Sequence, residues 1–274
     1  IHESSRTSKG TNIANLLPIS GDERVTSMIR VTVFEENKYL IMVTKNGVIK
    51  RTSLKAFDTA RKGGLIALGL DEGDELAWVR LTDGSQEMIV ATKKGKAIRF
   101  NETDVRAVGR SARGVRALRL KPSDEVVGMI IVNNDSLILT VSETGYGRLS
   151  DPSDYRVQSR GGQGVINYHT KKYGDVAALN NVSEDQDVIL ISDNGIIIRI
   201  EAQTIRKCSR PSKGVKVMRI INGSKIVAVA CVPREEKSDD EEIEQDSETT
   251  ETTDTIETTE TSETIEITEN NKED

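Results

Sequence analysis

The chain has 274 residues, 36% of them hydrophobic, 3% aromatic and 30% charged, with a formal net charge of −6. No apolar run approaches 18 residues, so no membrane-spanning helix or signal peptide is expected, and the scarcity of aromatics argues against single-strand or RNA readers that stack bases on rings. The charge is uneven: residues 233–274 hold 18 acidic and three basic side chains, while residues 1–232 hold 26 acidic and 35 basic ones, and a basic body of +9 implies a polyanionic partner.

In chain order, the first recognisable segment is a loop, SRTSKG, carrying Arg6, Lys9 and Gly10, followed by an apolar stretch around Val25. Ile1 stands just ahead of that loop, inside a unit rather than at its start, so the chain is expected to be a piece of a longer protein. An apolar run, YLIMVT, then has the length and β-branched content of a buried strand; the turn KNG and a return strand bearing Arg51 complete a hairpin. A connector, SLKAF, leads to a second loop with Arg61, Lys62 and Gly64, then to the runs GLIALGL and ELAWVRL.

The same order returns three times. EMIVAT, KKG and a return strand with Arg99 precede NETDVRAV and the loop GRSARG, with Arg110, Arg113 and Gly114. LILTVS, ETG and a strand with Arg148 precede DPSDYRV and the loop QSRGGQG, with Gln158, Arg160, Gly161, Gly162 and Gly164. VILISD, DNG and a strand with Arg199 precede EAQTIRK and the loop SRPSKG, with Arg210, Lys213 and Gly214. The loop-ending glycines, Gly10, Gly64, Gly114, Gly164 and Gly214, stand 54, 50, 50 and 50 residues apart; the turn glycines Gly47, Gly95, Gly145 and Gly195 keep the same step.

Four strands per fifty residues is the size of a propeller-type blade. The sequence therefore predicts an all-β, propeller-like array with four complete units and the end of an earlier one over residues 1–232. WD and kelch repeats are set aside, because their blades depend on Trp and Tyr. Residues 233–274 are too poor in large apolar side chains to offset the entropy of ordering, and read as a disordered acidic tail that either competes with a polyanion for the body or serves only to solubilise it.

Equivalent residues of repeated blades occupy equivalent positions, so the loop cations should lie along one rim. Guanidinium groups and exposed glycine N–H groups suit phosphate oxygens, by forked donation and by a backbone nest. The other reading of such loops is a solvated rim of charge. A charged rim without aromatics grips duplex backbone rather than bases, by phosphate contacts and DNA bendability. The predicted DNA-binding set is Arg6, Lys9, Arg61, Lys62, Arg110, Arg113, Gln158, Arg160, Gly161, Gly162, Gly164, Arg210 and Lys213. No P-loop, nucleophile–base constellation or metal-ligand spacing is present. Cys208 and Cys231 lack CxxC spacing and His2 and His169 are the only histidines, so neither a zinc site nor a cofactor is expected.

QSRGGQG resembles the glutamine-arginine-arginine-glycine-glycine-lysine-glycine box of the bacterial DNA gyrase A subunit. The flanking text (NLLPISGDERV, KRTSLKAF, DEGDEL, VRLTDG, IRFNETDVRAVGR, GYGRLS) is similar to the C-terminal domain of that subunit over residues 5–232. The resemblance implies a β-pinwheel, a propeller-like ring whose blades exchange strands, with duplex DNA bent around its basic perimeter. It also implies a place in an ATP-dependent type II topoisomerase that introduces negative supercoils, with ATP and Mg²⁺ used in other domains. The partners implied are DNA, the B subunit, and the remainder of the A subunit in a cytoplasmic A2B2 complex. Two basic residues of the box are Ser159 and Gln163 here. A shorter blade array, like that of the related topoisomerase IV, and a protein-interaction propeller are the alternatives.

Overall fold

The computed structural model describes residues 5, 7–12, 15, 17, 19, 23–59, 64–221 and 223–234. The expectations for Arg6, Arg61, Lys62 and the acidic segment beyond Arg234 therefore lie outside the described residues.

The apolar runs become the first strands of four hairpins. β1 (Tyr39–Thr44) turns into β2 (Val48–Ser53), and β4 (Glu87–Thr92) into β5 (Lys96–Asn101). β8 (Leu137–Ser142) turns into β9 (Tyr146–Ser150), and β12 (Gln186–Ser192) into β13 (Ile197–Glu201). The turn glycines hold φ between +78° and +85°, a left-handed conformation that short hairpins need and other residues resist. The runs that follow the acidic turns, β3 (Leu76–Thr82), β7 (Val126–Ile131), β11 (Val176–Val182) and β15 (Ile226–Pro233), pair antiparallel with the first strand of their own hairpin.

The third run of each unit leaves its own blade, the strand exchange that the β-pinwheel resemblance implies. GVRALRL, GVINYHT and GVKVMRI each yield a strand of only two residues: β6 (Val115–Arg116), β10 (Val165–Ile166) and β14 (Val215–Lys216). Each joins the return strand of the unit before it, β6 on β2, β10 on β5 and β14 on β9. The strands are short because the chain then plunges inward. The N–H groups of Ala117, Asn167 and Val217 donate to the hairpin-turn carbonyls of Gly47, Gly95 and Gly145 at 2.7–2.9 Å, and their side chains are buried. The resulting sheets are ordered β3-β1-β2-β6, β7-β4-β5-β10 and β11-β8-β9-β14, with a three-stranded β15-β12-β13. This is an all-β, four-bladed propeller-like array in which three blades borrow an edge strand from their successor.

The core lies between blades. One cluster joins Ile41, Val43 and Ile49 of the first blade to Met88, Val90 and Phe100 of the second. Ile89 and Ala91, on the opposite face of β4, join Ile138 and Leu179 of the third. Leu139 and Val141 join Val188 and Leu190 of the fourth. A strand buried on both faces needs no polar alternation, which is why these runs read as continuously apolar. β7, β11 and β15 touch their neighbours in succession, so they form the inner edge of the array and β6, β10 and β14 the outer one.

The return-strand cations are not equivalent. Arg51, Arg99 and Arg199 stand four residues after the turn glycine, Arg148 only three, and a one-residue shift along a strand reverses the face. Arg99 pairs with Glu87 at 2.5 Å and Arg199 with Asp187 at 2.8 Å. Arg148 is fully buried instead. It donates to Ser150 Oγ at 2.7 Å, to the Asn167 carbonyl at 2.5 Å and to Asn167 Oδ1 at 2.9 Å. Its first-blade counterpart is Lys50, equally buried, which donates to the carbonyls of Ala67 and Arg110; burial pushes its pKa down.

Candidate nucleic-acid interface

Each connector between blades is built alike. A single 3₁₀ turn follows the return strand at Glu102–Asp104, Pro152–Asp154 and Ala202–Thr204. The first two are capped by Asn101 and Asp151, whose side chains accept the N–H of the second residue on. Ser153 and Lys207 hold the Asp151 carboxyl down at about 2. Next comes a buried anchor, Val105, Tyr155 or Ile205, each at most 3% exposed. Two residues beyond the anchor the chain bridges the preceding return strand in parallel: Ala107 to Arg51, Val157 to Arg99 and Lys207 to Leu149.

Between anchor and bridge stands an arginine. Because the anchor points into the core, the next side chain must point away from it. Arg106, Arg156 and Arg206 are all exposed. Among the described residues none of the three forms an ion pair or a side-chain hydrogen bond. They recur at a 50-residue step, at one position on three successive blades. Sequence reasoning quoted all three connectors and missed this row. The signal was available as Val-Arg, Tyr-Arg and Ile-Arg in register, hidden by the more conspicuous loops that follow.

The predicted loop residues are placed as follows. Arg160 Nε donates to the Asp104 carbonyl at 2.8 Å and its Nη1 to the Arg116 carbonyl at 3.3 Å. Arg210 repeats both bonds fifty residues later, to the carbonyls of Asp154 and Ile166. These guanidiniums staple a loop to the preceding connector and to the strand added to that blade, leaving the Nη2 edge for other partners. Arg113 pairs with Asp71. Lys213 lies 4.0 Å from the Tyr146 ring centroid and 5.5 Å from that of Tyr173. It also holds the Tyr146 hydroxyl below its ordinary pKa. Arg110 is half-buried and Lys9 exposed.

Several of the loop glycines that the sequence reading assigns to a backbone nest also serve contacts within the fold. Gly161 N–H donates to the Ala117 carbonyl at 2.6 Å, and the Gly162 carbonyl accepts Arg119 N–H at 2.8 Å. A Cβ on Gly164 would stand 2.3 Å from the Ala97 carbonyl oxygen. The matching approaches are 2.4 Å for Gly114 to Ile49 and 2.1 Å for Gly214 to Gly147. The close approach that requires glycine is therefore made to the neighbouring blade. Gln158 belongs to the same seam: its N–H donates to the Arg99 carbonyl at 2.8 Å, and its side-chain nitrogen is buried.

Strand-exchanging blades on a fifty-residue step define a β-pinwheel, a propeller-like repeat domain. The chain belongs to the family described as the DNA gyrase C-terminal domain, beta-propeller, whose model matches residues 2–32, 38–83, 86–133, 136–183 and 186–233. It is 53% identical over 116 residues to the DNA gyrase A subunit of Halalkalibacterium halodurans and 47% identical over 116 residues to that of Clostridium acetobutylicum. Each match covers 42% of this chain and 14% of the relative. A solved DNA gyrase A C-terminal domain is similar with a TM-score of 0.71 at 28% identity, over 82% of this chain and 75% of that one. The C-terminal domain of a DNA topoisomerase IV gives 0.77 at 28% identity, over 82% and 71%.

Proposed function

We propose that this chain binds duplex DNA along its outer perimeter and bends it, as the DNA-wrapping part of the gyrase A subunit, in a type II topoisomerase that supercoils DNA at the expense of ATP. The observation that carries the reading is the row Arg106, Arg156 and Arg206: exposed, unpaired among the described residues and identically placed on three blades. Equal charges at a fixed step suit a polymer of equally spaced phosphates, and a curved array of them favours a bent one. The staple arginines, Arg113 and Lys213 stand on the loops that follow and add to the positive charge of the body, as do Lys9, Arg6, Arg61 and Lys62 by sequence.

On this reading the chain carries no chemistry of its own. Strand cleavage, Mg²⁺ and ATP belong to the B subunit or to the remainder of the A subunit, in an A2B2 assembly that works on the nucleoid in the cytoplasm. The sequence supports that division, since it holds no P-loop, no nucleophile–base constellation and no metal-ligand spacing.

The test is titration of two unrelated duplexes of similar flexibility by fluorescence anisotropy, across a series of salt concentrations. Both should bind alike, and log affinity should fall linearly with log salt with a slope of about −0.9 per phosphate neutralised. Strong preference for one sequence at matched salt would overturn the backbone-reading mechanism. No binding to either at low salt would overturn the function.

A further inference from the structure

The connectors carry one exposed arginine per blade, and the third runs carry a second exposed residue at the same step. GVRALRL, GVINYHT and GVKVMRI each continue past two inward residues to Arg119, His169 and Arg219. The inward pairs, Ala117 with Leu118, Asn167 with Tyr168 and Val217 with Met218, are at most 8% exposed. The next side chain returns to the surface, and Arg119, His169 and Arg219 are all exposed. Among the described residues none of these three side chains forms an ion pair or a hydrogen bond. The carboxylates at this end of the blades have other partners: Glu75 pairs with Lys45, Glu125 and Glu143 with Lys93, and Asp175 with Lys94.

The fold sets the spacing between this row and the Arg106 row. Ala107, Val157 and Lys207, one residue beyond the first row, bridge Arg51, Arg99 and Leu149. Ala117, Asn167 and Val217, two residues short of the second, donate to the carbonyls of Gly47, Gly95 and Gly145. On each blade the two attachment points are thus four residues apart, from 47 to 51, 95 to 99 and 145 to 149. At about 3.3 Å per residue they stand about 13 Å apart. Two rows of donors on that scale suit a duplex, whose strands face each other across a major groove about 12 Å wide. A lone strand has one line of phosphates and is served by one row.

We propose that Arg119, His169 and Arg219 form a second contact row, so that the domain grips both strands of a duplex across a groove. The Arg106 row holds one strand and this row the other. The inference rests on the DNA-binding reading above and adds to it a reason for preferring duplex over single strand. The outer strands reinforce the second row unevenly: β6 brings Arg116 and β14 brings Lys216, while β10 has Ile166 at that position. With histidine and isoleucine at the middle seam, the row holds most firmly at its two ends.

The test compares a duplex with one of its own strands, by anisotropy titration of the full chain across a salt series. Wild type should bind the duplex more tightly. Arg119→Ala combined with Arg219→Ala should weaken duplex binding about 10- to 100-fold, taking up to a factor of ten for each charged hydrogen bond to phosphate. The duplex salt dependence should flatten by about 1.8 in slope, two contacts at about 0.9 each. Single-strand binding should change by less than about threefold, because the first row remains. His169→Arg should tighten duplex binding and steepen its slope by about 0.9, a gain that misfolding would not produce. Far-UV circular dichroism and urea unfolding should match wild type for these exposed positions. The proposal is overturned if the double variant holds duplex as wild type does, or if it loses duplex and single strand in equal proportion. Wild type binding neither at low salt would overturn the DNA-binding reading itself, whereas losses confined to variants of Arg106, Arg156 and Arg206 would leave that reading standing and remove this one.

Discussion

Replacing Arg106, Arg156 and Arg206 together by alanine should weaken duplex binding about 100- to 1000-fold at low salt, taking roughly a factor of ten for each charged hydrogen bond to phosphate. The salt dependence should flatten by about 2.7 in slope, three contacts at about 0.9 each. Stability should hold to within about 0.5 kcal/mol, since the three side chains are exposed and among the described residues form no ion pair or side-chain hydrogen bond. Arg160→Ala and Arg210→Ala should divide the other way. Each removes a guanidinium that holds two backbone carbonyls on the preceding blade. Each should cost about 1–3 kcal/mol of stability with a smaller loss of affinity. Anisotropy titrations at four salt concentrations, alongside urea unfolding, separate the two classes. A triple variant that binds with the parent's affinity and slope would remove the perimeter row from the DNA path.

The division has a physical basis in what each arginine has left to donate. A guanidinium offers five N–H groups in a planar fork. Arg160 and Arg210 commit Nε and Nη1 to carbonyls, so only an outer edge remains for phosphate, held in one orientation. Among the described residues Arg106, Arg156 and Arg206 commit none, and no carboxylate pairs with them. Mobile, unpaired cations dominate long-range attraction and counterion release, while a stapled cation adds geometry.

The repeat and its contents were legible because glycine, arginine and apolar runs keep a fifty-residue step that survives substitution elsewhere. Strand exchange was legible through the family resemblance and not through the runs themselves. GVRALRL and GVKVMRI have the same composition whether they pair at home or with a neighbour, and only register reveals which. The burial of Arg148 was not legible, because the reading grouped it with Arg51, Arg99 and Arg199 by residue type rather than by distance from the turn glycine. The loops carry glycines that close on the backbone of a neighbouring blade at Gly114, Gly164 and Gly214, a demand that the residues alone do not distinguish from a phosphate nest. Positive φ and close approach both ask for glycine, but a sequence does not say whether the approaching body is a phosphate or the carbonyl of Ala97. The Arg106 row escaped for a related reason. Its meaning depends on the buried neighbours Val105, Tyr155 and Ile205, and three different side chains do not look like one repeated anchor until they are seen in the same socket.

The seam glycines give the sharpest test of that reinterpretation, because chain geometry separates their two demands. Gly195 has φ +85° and open space around a would-be Cβ, so Gly195→Ala should cost only the left-handed penalty of about 1–2 kcal/mol. Gly114 has no left-handed backbone, but its Cβ would stand 2.4 Å from the Ile49 carbonyl oxygen and 2.6 Å from Val48 Cγ1. Gly214 combines φ +79° with an approach of 2.1 Å to the Gly147 carbonyl. A contact that close to backbone cannot be relieved by a rotamer change, so β6 or β14 must lift away from its acceptor strand. Gly114→Ala should therefore cost about 2–3 kcal/mol and Gly214→Ala about 4 kcal/mol, at the upper end of single-residue effects. Repeat arrays can unfold seam by seam, so global denaturation is best paired with amide hydrogen exchange. The N–H groups of Ala117 in Gly114→Ala and of Val217 in Gly214→Ala should lose protection, while Asn167, at the untouched seam, keeps it. If Gly114→Ala proves no more costly than Gly195→Ala, close packing between blades is not what these glycines are for, and an open phosphate nest becomes the better account of the loops.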